Sequence, residues 1–147
     1  MAKHRTKKRS QEFVMDCSVT MAWYFKDEVN VYANAVRRSL SKARAVVPAV
    51  WPLEVANILV MGERRGRSTE AEASKWLRYL QRLPIDVDDE TAGRACSDIL
   101  QIARSYDLSA YDAAYLELAI RLGLPLASLD DQLKATAASA GVSEYKP

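Results

Sequence analysis

Four carboxylates, Asp16, Glu54, Asp112 and Asp130, each stand where an extended segment hands over to a helix, in the stretches VMDCSV, PLEVANIL, LSAYDAAYLELA and LASLDDQL. Taken singly, each has a plain explanation, because a helix N-terminus carries unpaired N–H groups and partial positive charge that favour Asp and Glu. Asp112 reads as the closing residue of a capping box opened by Ser109, Asp130 as an N-cap and Glu54 as a favourable first-turn charge. Asp16 is different. An acid at the end of the apolar run Phe13-Val14-Met15 is buried, which is unfavourable unless it is paired, hydrogen-bonded or metal-bound. Four converging carboxylates would repel one another and force some to hold protons at neutral pH. A hard divalent cation, Mg2+ or Mn2+, removes that conflict, keeps several of its waters and accepts substrate phosphate. Such a site generates a hydroxide nucleophile and offsets charge on a leaving oxygen, so the chemistry expected is phosphodiester hydrolysis.

Elimination points the same way. The one histidine, His4, lies in the basic N-terminal stretch, which excludes a Ser/His/Asp triad and paired-histidine acid/base chemistry in the folded body. Cys17 and Cys96 show no CxxC spacing, and no HxxxH accompanies them, so a zinc site is not expected. There is no GxxxxGK[ST] and no GxGxxG after the first strand, and the five glycines are scattered.

The elements that must position these acids follow from the hydrophobic pattern. FVMDC is a buried strand ending near Asp16, and Ser18 caps a helix through MAWYF. The spacing predicts a helix over 29–43, a strand at Ala45 to Val47, and a helix with Pro52 just inside its start and Glu54 in its first turn. A helix opening at Thr69 and ending before Pro84, a strand at Ile85 to Val87, and a helix over 89–106 come next. Ser109 opens the helix that bears Asp112 and Gly123 ends it. A strand at Leu126 to Leu129, a last helix to Ala140 and an edge strand at Val142 to Glu144 complete the chain. Strands alternating with helices argue for a parallel sheet with helices on both faces.

At 147 residues the chain is one domain, able to bury roughly 68–70% of its unfolded surface without disulfides. Two distant cysteines and no signal peptide are expected of a cytoplasmic protein with free thiols. No apolar run reaches the length of a membrane span. The net charge of +2 conceals a division: residues 1–12 hold five Lys/Arg against one Glu, leaving 16 basic and 18 acidic residues in the body, 13–147. The tail reads as a solvated, disordered start, or one placed too early, ahead of a nucleic-acid arm. A slightly acidic body does not bind nucleic acid by charge alone.

Ser18 and Asn57 stand where they could support the acids from behind. Their plainer roles are a helix N-cap and a solvent-facing amide. Arg64, Arg65 and Arg67 read as a solvated helix end, with contact to an RNA backbone second. Trp23, Trp51, Trp76 and most tyrosines read as core or dimer contacts rather than base-stacking platforms.

The four stretches, with their order and spacing over Phe13 to Val142, resemble the PIN-domain family, and especially the VapC-type toxins of bacterial and archaeal toxin–antitoxin pairs. The resemblance implies a three-layer α/β/α fold with a mainly parallel sheet of four to five strands. It implies a Mg2+- or Mn2+-dependent endoribonuclease, a homodimer, and neutralisation by a cognate antitoxin. Asp16, Glu54, Asp112 and Asp130 match the family's acidic positions, with Asp16, Asp112 and Asp130 as metal ligands. Asp131 adjoins Asp130 and competes for the fourth place. Ser18 matches the small hydroxyl residue after the first Asp, Asn57 the frequent Asn after the Glu, and Ser128 stands where Thr is common, so the resemblance implies that all three support the acids from behind. Cys17 replaces a small residue and is expected to point away from Asp16. The basic tail lies outside the family pattern.

Three rival readings fit the residues less well. A PIN-like domain that has lost catalysis and binds RNA or a protein would have no need of mutually repelling acids. A receiver-like signalling domain needs a Lys after a late strand, and none stands between Leu122 and Gln132. A haloacid-dehalogenase-type phosphatase needs DxD at the first strand, where this chain has Asp16-Cys17-Ser18.

Overall fold

The computed structural model describes residues 10–147 apart from 26 and 28. Residues 1–9 of the expected basic tail, His4 among them, lie outside the described residues, whereas Gln11 and Glu12 already belong to the first strand. Four parallel strands form the sheet in the order β3-β2-β1-β4. They are β1 (Gln11–Met15), β2 (Ala43–Val47), β3 (Ile85–Val87) and β4 (Leu126–Ala127). Helices cover both faces, giving the three-layer α/β/α class that the alternating pattern predicts. They are α1 (Cys17–Tyr24), α2 (Val31–Ser39), α3 (Trp51–Arg64), α4 (Glu70–Leu80), α5 (Thr91–Arg94), α6 (Leu100–Tyr106), α7 (Ala110–Leu122) and α8 (Asp131–Ser139).

β1 is central, and Phe13, Val14 and Met15 are all fully buried, as a strand covered on both faces requires. It pairs with β2 in the register Phe13↔Ala45 and with β4 as Met15↔Ala127. β2 alternates, burying Ala43, Ala45 and Val47. β3 is an edge strand whose exposed Asp86 takes a bidentate pair from Arg44 of β2 at 2.8 Å.

Capping sets the helix starts. Asn30 caps α2 by accepting from the Ala33 N–H, so that helix begins at Val31, two residues after its apolar pattern does. Thr69 caps α4 through the Glu72 N–H, and Ser109 caps α7 through the Asp112 N–H at 3.1 Å. α7 ends at Gly123, whose φ of 65° places it in the left-handed region. The predicted helix over 89–106 is interrupted by a π-helical turn, Ala95–Ile99, between α5 and α6.

Two expected strands are shorter than predicted. β4 stops at Ala127 because Ser128 turns its hydroxyl inward instead of continuing the ladder. The edge strand at Val142 to Glu144 reduces to a single bridge, Leu126↔Glu144. The segment is nevertheless anchored. Tyr145 stacks on Phe13 with ring centroids 3.8 Å apart, its backbone N–H donates to the Leu126 carbonyl at 2.9 Å, and its carbonyl accepts from Tyr32 at 2.7 Å. No helix among the described residues is long and apolar enough to cross a membrane.

Candidate active site

In a parallel sheet the carboxyl ends of the strands share one edge, and the loops leaving that edge form the natural ligand crevice. Asp16 follows β1 directly, and its backbone N–H is held by the Ala127 carbonyl of β4 at 2.9 Å. α3, which starts four residues beyond β2, carries Glu54 in its first turn. Asp130 follows β4 by three residues and caps α8, accepting the Leu133 N–H at 2.9 Å. Asp112 reaches the same edge from α7, which packs against β1.

Asp16 is 5% exposed, so the sequence expectation of a buried acid holds. Its Oδ2 accepts from Ser18 at 2.6 Å and from Ser128 at 2.9 Å. Each serine is itself fixed by the loop after β4: Ser18 accepts the Leu129 N–H and Ser128 the Asp130 N–H, both at 3.0 Å. Two hydroxyls therefore tie the end of β1 to the β4–α8 turn. Ser18 thereby serves Asp16 directly, while the N-cap position of α1 falls to Asp16 itself, without a side-chain cap bond.

The electrostatics bring the four acids together. Burial pushes the Asp16 carboxyl above the ordinary range and the Asp130 charge pushes it further, against the hydroxyl bonds that lower it. Burial also raises Glu54, with Asp16 and Asp112 adding repulsion and a bond from Tyr115 opposing them. Asp112 is raised by burial, then by Asp16 and Asp130. No three of these carboxylates bring their oxygens within 4.8 Å of one another, so three of them would have to draw inward to ligate one ion directly. The donor set is all oxygen and mutually repelling, with Asp16, Glu54 and Asp112 partly desolvated, a chemistry suited to a hard divalent cation.

A tighter acidic group, Asp88, Asp89 and Glu90, does lie within 4.8 Å. It is a different kind of feature, because Asp88 and Glu90 are already paired with arginines. Arg121 reaches Asp88 at 2.8 Å and Glu90 at 2.9 Å, Arg94 reaches Glu90 at 3.1 Å, and Arg121 also holds the buried Glu117 at 2.8 Å. This network locks α7 to the start of α5. The quartet has no such cations among the described residues.

Asp131, the competitor of Asp130, has a side chain 99% exposed, facing Lys134 at 3.8 Å. Its charge acts on neither Asp16 nor Asp112, whereas that of Asp130 acts on both. Asn57 is exposed and lines a shallow groove with Phe25, Ile58, Met61, Arg65 and Arg67, and no hydrogen bond joins it to the acids. Arg64 and Arg65 are exposed at the end of α3. Arg67 lies 4.0 Å over the Phe25 ring and pairs with Asp27 at 3.4 Å.

Cys17 lies where the charges of Glu54 and Asp16 reach its thiol. It is buried, and burial together with the Glu54 and Asp16 charges drives its thiol well up, so the sulfur stays protonated. Trp51 is a core residue whose indole donates to Thr20 at 3.0 Å. Trp23 and Trp76 are half-buried and line a groove of about 690 Å³ with Tyr24, Phe25 and Tyr79. Sequence reasoning missed Tyr115, which is fully buried yet donates its hydroxyl to Glu54 Oε1 at 2.9 Å. The available signal was its position three residues beyond Asp112, on the same helix face.

Comparison with known proteins gives the relationship. A protein named Ribonuclease VapC3, from Pyrobaculum aerophilum, is 30% identical over 122 residues, covering 83% of this chain and 92% of that protein. The crystal structure of PAE2754 from the same organism superposes with a TM-score of 0.64 at 24% identity, over 86% of each chain. A toxin–antitoxin complex from Klebsiella pneumoniae shares the fold at a TM-score of 0.52 and 13% identity, over 80% of this chain and 86% of that one. Residues 13–139 match the PIN domain, with all four acids inside the match. The chain belongs to the PIN-domain family.

Proposed function

We propose that this chain is an endoribonuclease that uses Asp16, Glu54, Asp112 and Asp130 with Mg2+ or Mn2+ to hydrolyse RNA phosphodiester bonds, as the toxin of a toxin–antitoxin pair. The observation that supports it is the mutual repulsion of four acids at one sheet edge, with Asp16 buried and held by two serine hydroxyls. The relative named as a ribonuclease supports the reaction class.

When bound, the cation would supply a water-derived nucleophile and offset charge on the scissile phosphate. Asp16, Asp112 and Asp130 would hold it, and Glu54 is the acid left to orient water and accept its proton. Ser18 and Ser128 keep Asp16 Oδ2 in one place, so the carboxylate presents a fixed geometry to its ligand. Arg64, Arg65 and Arg67 lie on a different stretch of α3 and its following loop, where they could meet the RNA backbone.

An antitoxin partner and a second copy of the chain belong to the same proposal. The shared fold with a toxin–antitoxin complex supports the first. Exposed apolar side chains, including Val31, Ile120 and Leu122, offer surface for contacts with other chains. Free Cys17 and Cys96 fit a reducing, cytoplasmic setting.

The test is RNA cleavage with Mn2+ or Mg2+, with EDTA, and with Asp16→Asn and Asp112→Asn. Activity that requires the ion and falls at least about a hundredfold in both variants agrees with the reading. Full activity in either variant would sink it. A non-catalytic binding module would show RNA binding without cleavage and no heat on titration with Mn2+.

A further inference from the structure

The phenol of Tyr115 and the carboxylate of Glu54 meet across two helices. Tyr115 lies in the second turn of α7, three residues after Asp112, and is completely buried. Its hydroxyl donates to Glu54 Oε1 at 2.9 Å, although the two residues are 61 positions apart. Among the described residues no other hydrogen bond reaches the Glu54 carboxylate, whose backbone N–H is taken by the Val50 carbonyl, so the phenol is the contact that restrains the rotation of the carboxyl group. One face of α7 thus presents two groups to the acidic crevice, the Asp112 carboxylate and the donor that holds Glu54.

We propose that Tyr115 is a positioning residue for Glu54: by holding Oε1, it leaves Oε2 as the oxygen that faces the reaction and sets its distance from the three aspartates. This rests on the reading of the quartet as a nuclease site. Tyr115 touches no substrate and does not act as an acid or base. Burial first, and then the Glu54 charge, keep its proton firmly in place, so it serves as a permanent donor. A glutamate on an exposed helix turn would sample several rotamers. Removing that freedom is how a supporting hydrogen bond raises the fraction of molecules in the reactive arrangement.

The test is Tyr115→Phe, which keeps the ring and removes only the hydroxyl, analysed with Glu54→Ala, Glu54→Gln and the double variants. In Mn2+-supported RNA cleavage, Tyr115→Phe should lower kcat by about 10- to 100-fold and leave KM within about twofold. Thermal melting of the metal-free proteins supplies a readout independent of activity. Tyr115→Phe should lower Tm by a few degrees in the wild-type and Glu54→Gln backgrounds, because both keep the acceptor. It should leave Tm unchanged or raise it in Glu54→Ala, where the phenol has lost its partner. Equal Tm changes in all backgrounds, or an unchanged kcat beside an active wild type, would overturn the inference while leaving the nuclease reading intact. A wild type that cleaves no RNA would overturn the nuclease reading instead, and the melting cycle would still decide whether the two side chains are coupled.

Discussion

The Ser128 hydroxyl donates to Asp16 Oδ2 at 2.9 Å, and its own Oγ accepts the Asp130 N–H at 3.0 Å. A side chain that is fully buried thus joins two of the four acids. Ser128→Ala removes the donor from a buried carboxylate and the acceptor from a backbone N–H. It should lower Mn2+ affinity and RNA cleavage by about 10- to 100-fold, measured by calorimetry and single-turnover cleavage. Ser128→Thr keeps the hydroxyl and should retain most of both.

The pH dependence of stability has two opposed parts. Asp16, Glu54 and Asp112 titrate above the ordinary carboxylate range because they are buried among like charges. The folded chain therefore holds their protons more tightly than the unfolded one. Their stabilising effect is complete below the ordinary value of about 4 and is lost as pH rises through the raised folded values. Asp88 runs the other way. Burial alone would raise it, but the bonds and charge of Arg121, with Thr91, outweigh that and lower it. Its contribution is present above the ordinary value and is lost as pH falls through the depressed one. Metal-free Asp16→Asn should therefore melt a few degrees above wild type at pH 7.5, and the gap should close near pH 4. Adding Mn2+ at a hundred times its Kd should stabilise wild type by about 2.7 kcal/mol and Asp16→Asn much less.

Asp130 and Asp131 adjoin in sequence but differ in setting. Asp130 caps α8 and acts on Asp16 and Asp112, whereas Asp131 faces solvent. Asp131→Asn should leave cleavage within about twofold of wild type. Asp130→Asn, in which the amide oxygen can still cap the helix, should lower it at least about tenfold with little change in Tm. Comparable losses in both variants would contradict the assignment.

Arg121 joins Asp88, Glu90 and Glu117, and its side chain is 13% exposed against 5% for Glu117. Arg121→Met leaves Glu117 and Asp88 without their main cation. The expected loss is about 3–5 kcal/mol, or roughly 10 °C in Tm, measured by denaturant and thermal unfolding. Adding Glu117→Leu should recover part of it, since the uncompensated charge is the larger penalty.

Local signals and distant contacts were not equally legible in the sequence. Thr69 and Ser109 fix their helix starts through bonds to residues three positions on, so a short window contains the whole cause. The strand of Ile85 to Val87 follows from its apolar ends and flanking Pro84. Asp16 was readable as a buried acid because the apolar run before it demands burial. Tyr115 was not singled out, because its partner is 61 residues away and a buried tyrosine looks like core until that partner is known. Asn57 shows the converse: helical spacing from Glu54 suggested a shared task, yet the side chain lies on an exposed stretch of α3. β4 was expected to run to Leu129; the family resemblance sets Ser128 behind the acids, but no local pattern in LASL discloses that its bond to Asp16 accompanies the end of the strand.

The anchoring of Tyr145 affects how this molecule meets others. Backbone bonds from the 143–145 segment occupy the outer side of β4, through the Leu126 N–H and carbonyl. The opposite margin is the three-residue β3, where the Arg44–Asp86 pair is exposed. Among the described residues, neither margin offers a long bare ladder on which a foreign strand could continue the sheet. A partner chain would therefore have to meet the helices or the loops of the acidic edge, and removing residues 143–147 would open one margin to strand-by-strand aggregation.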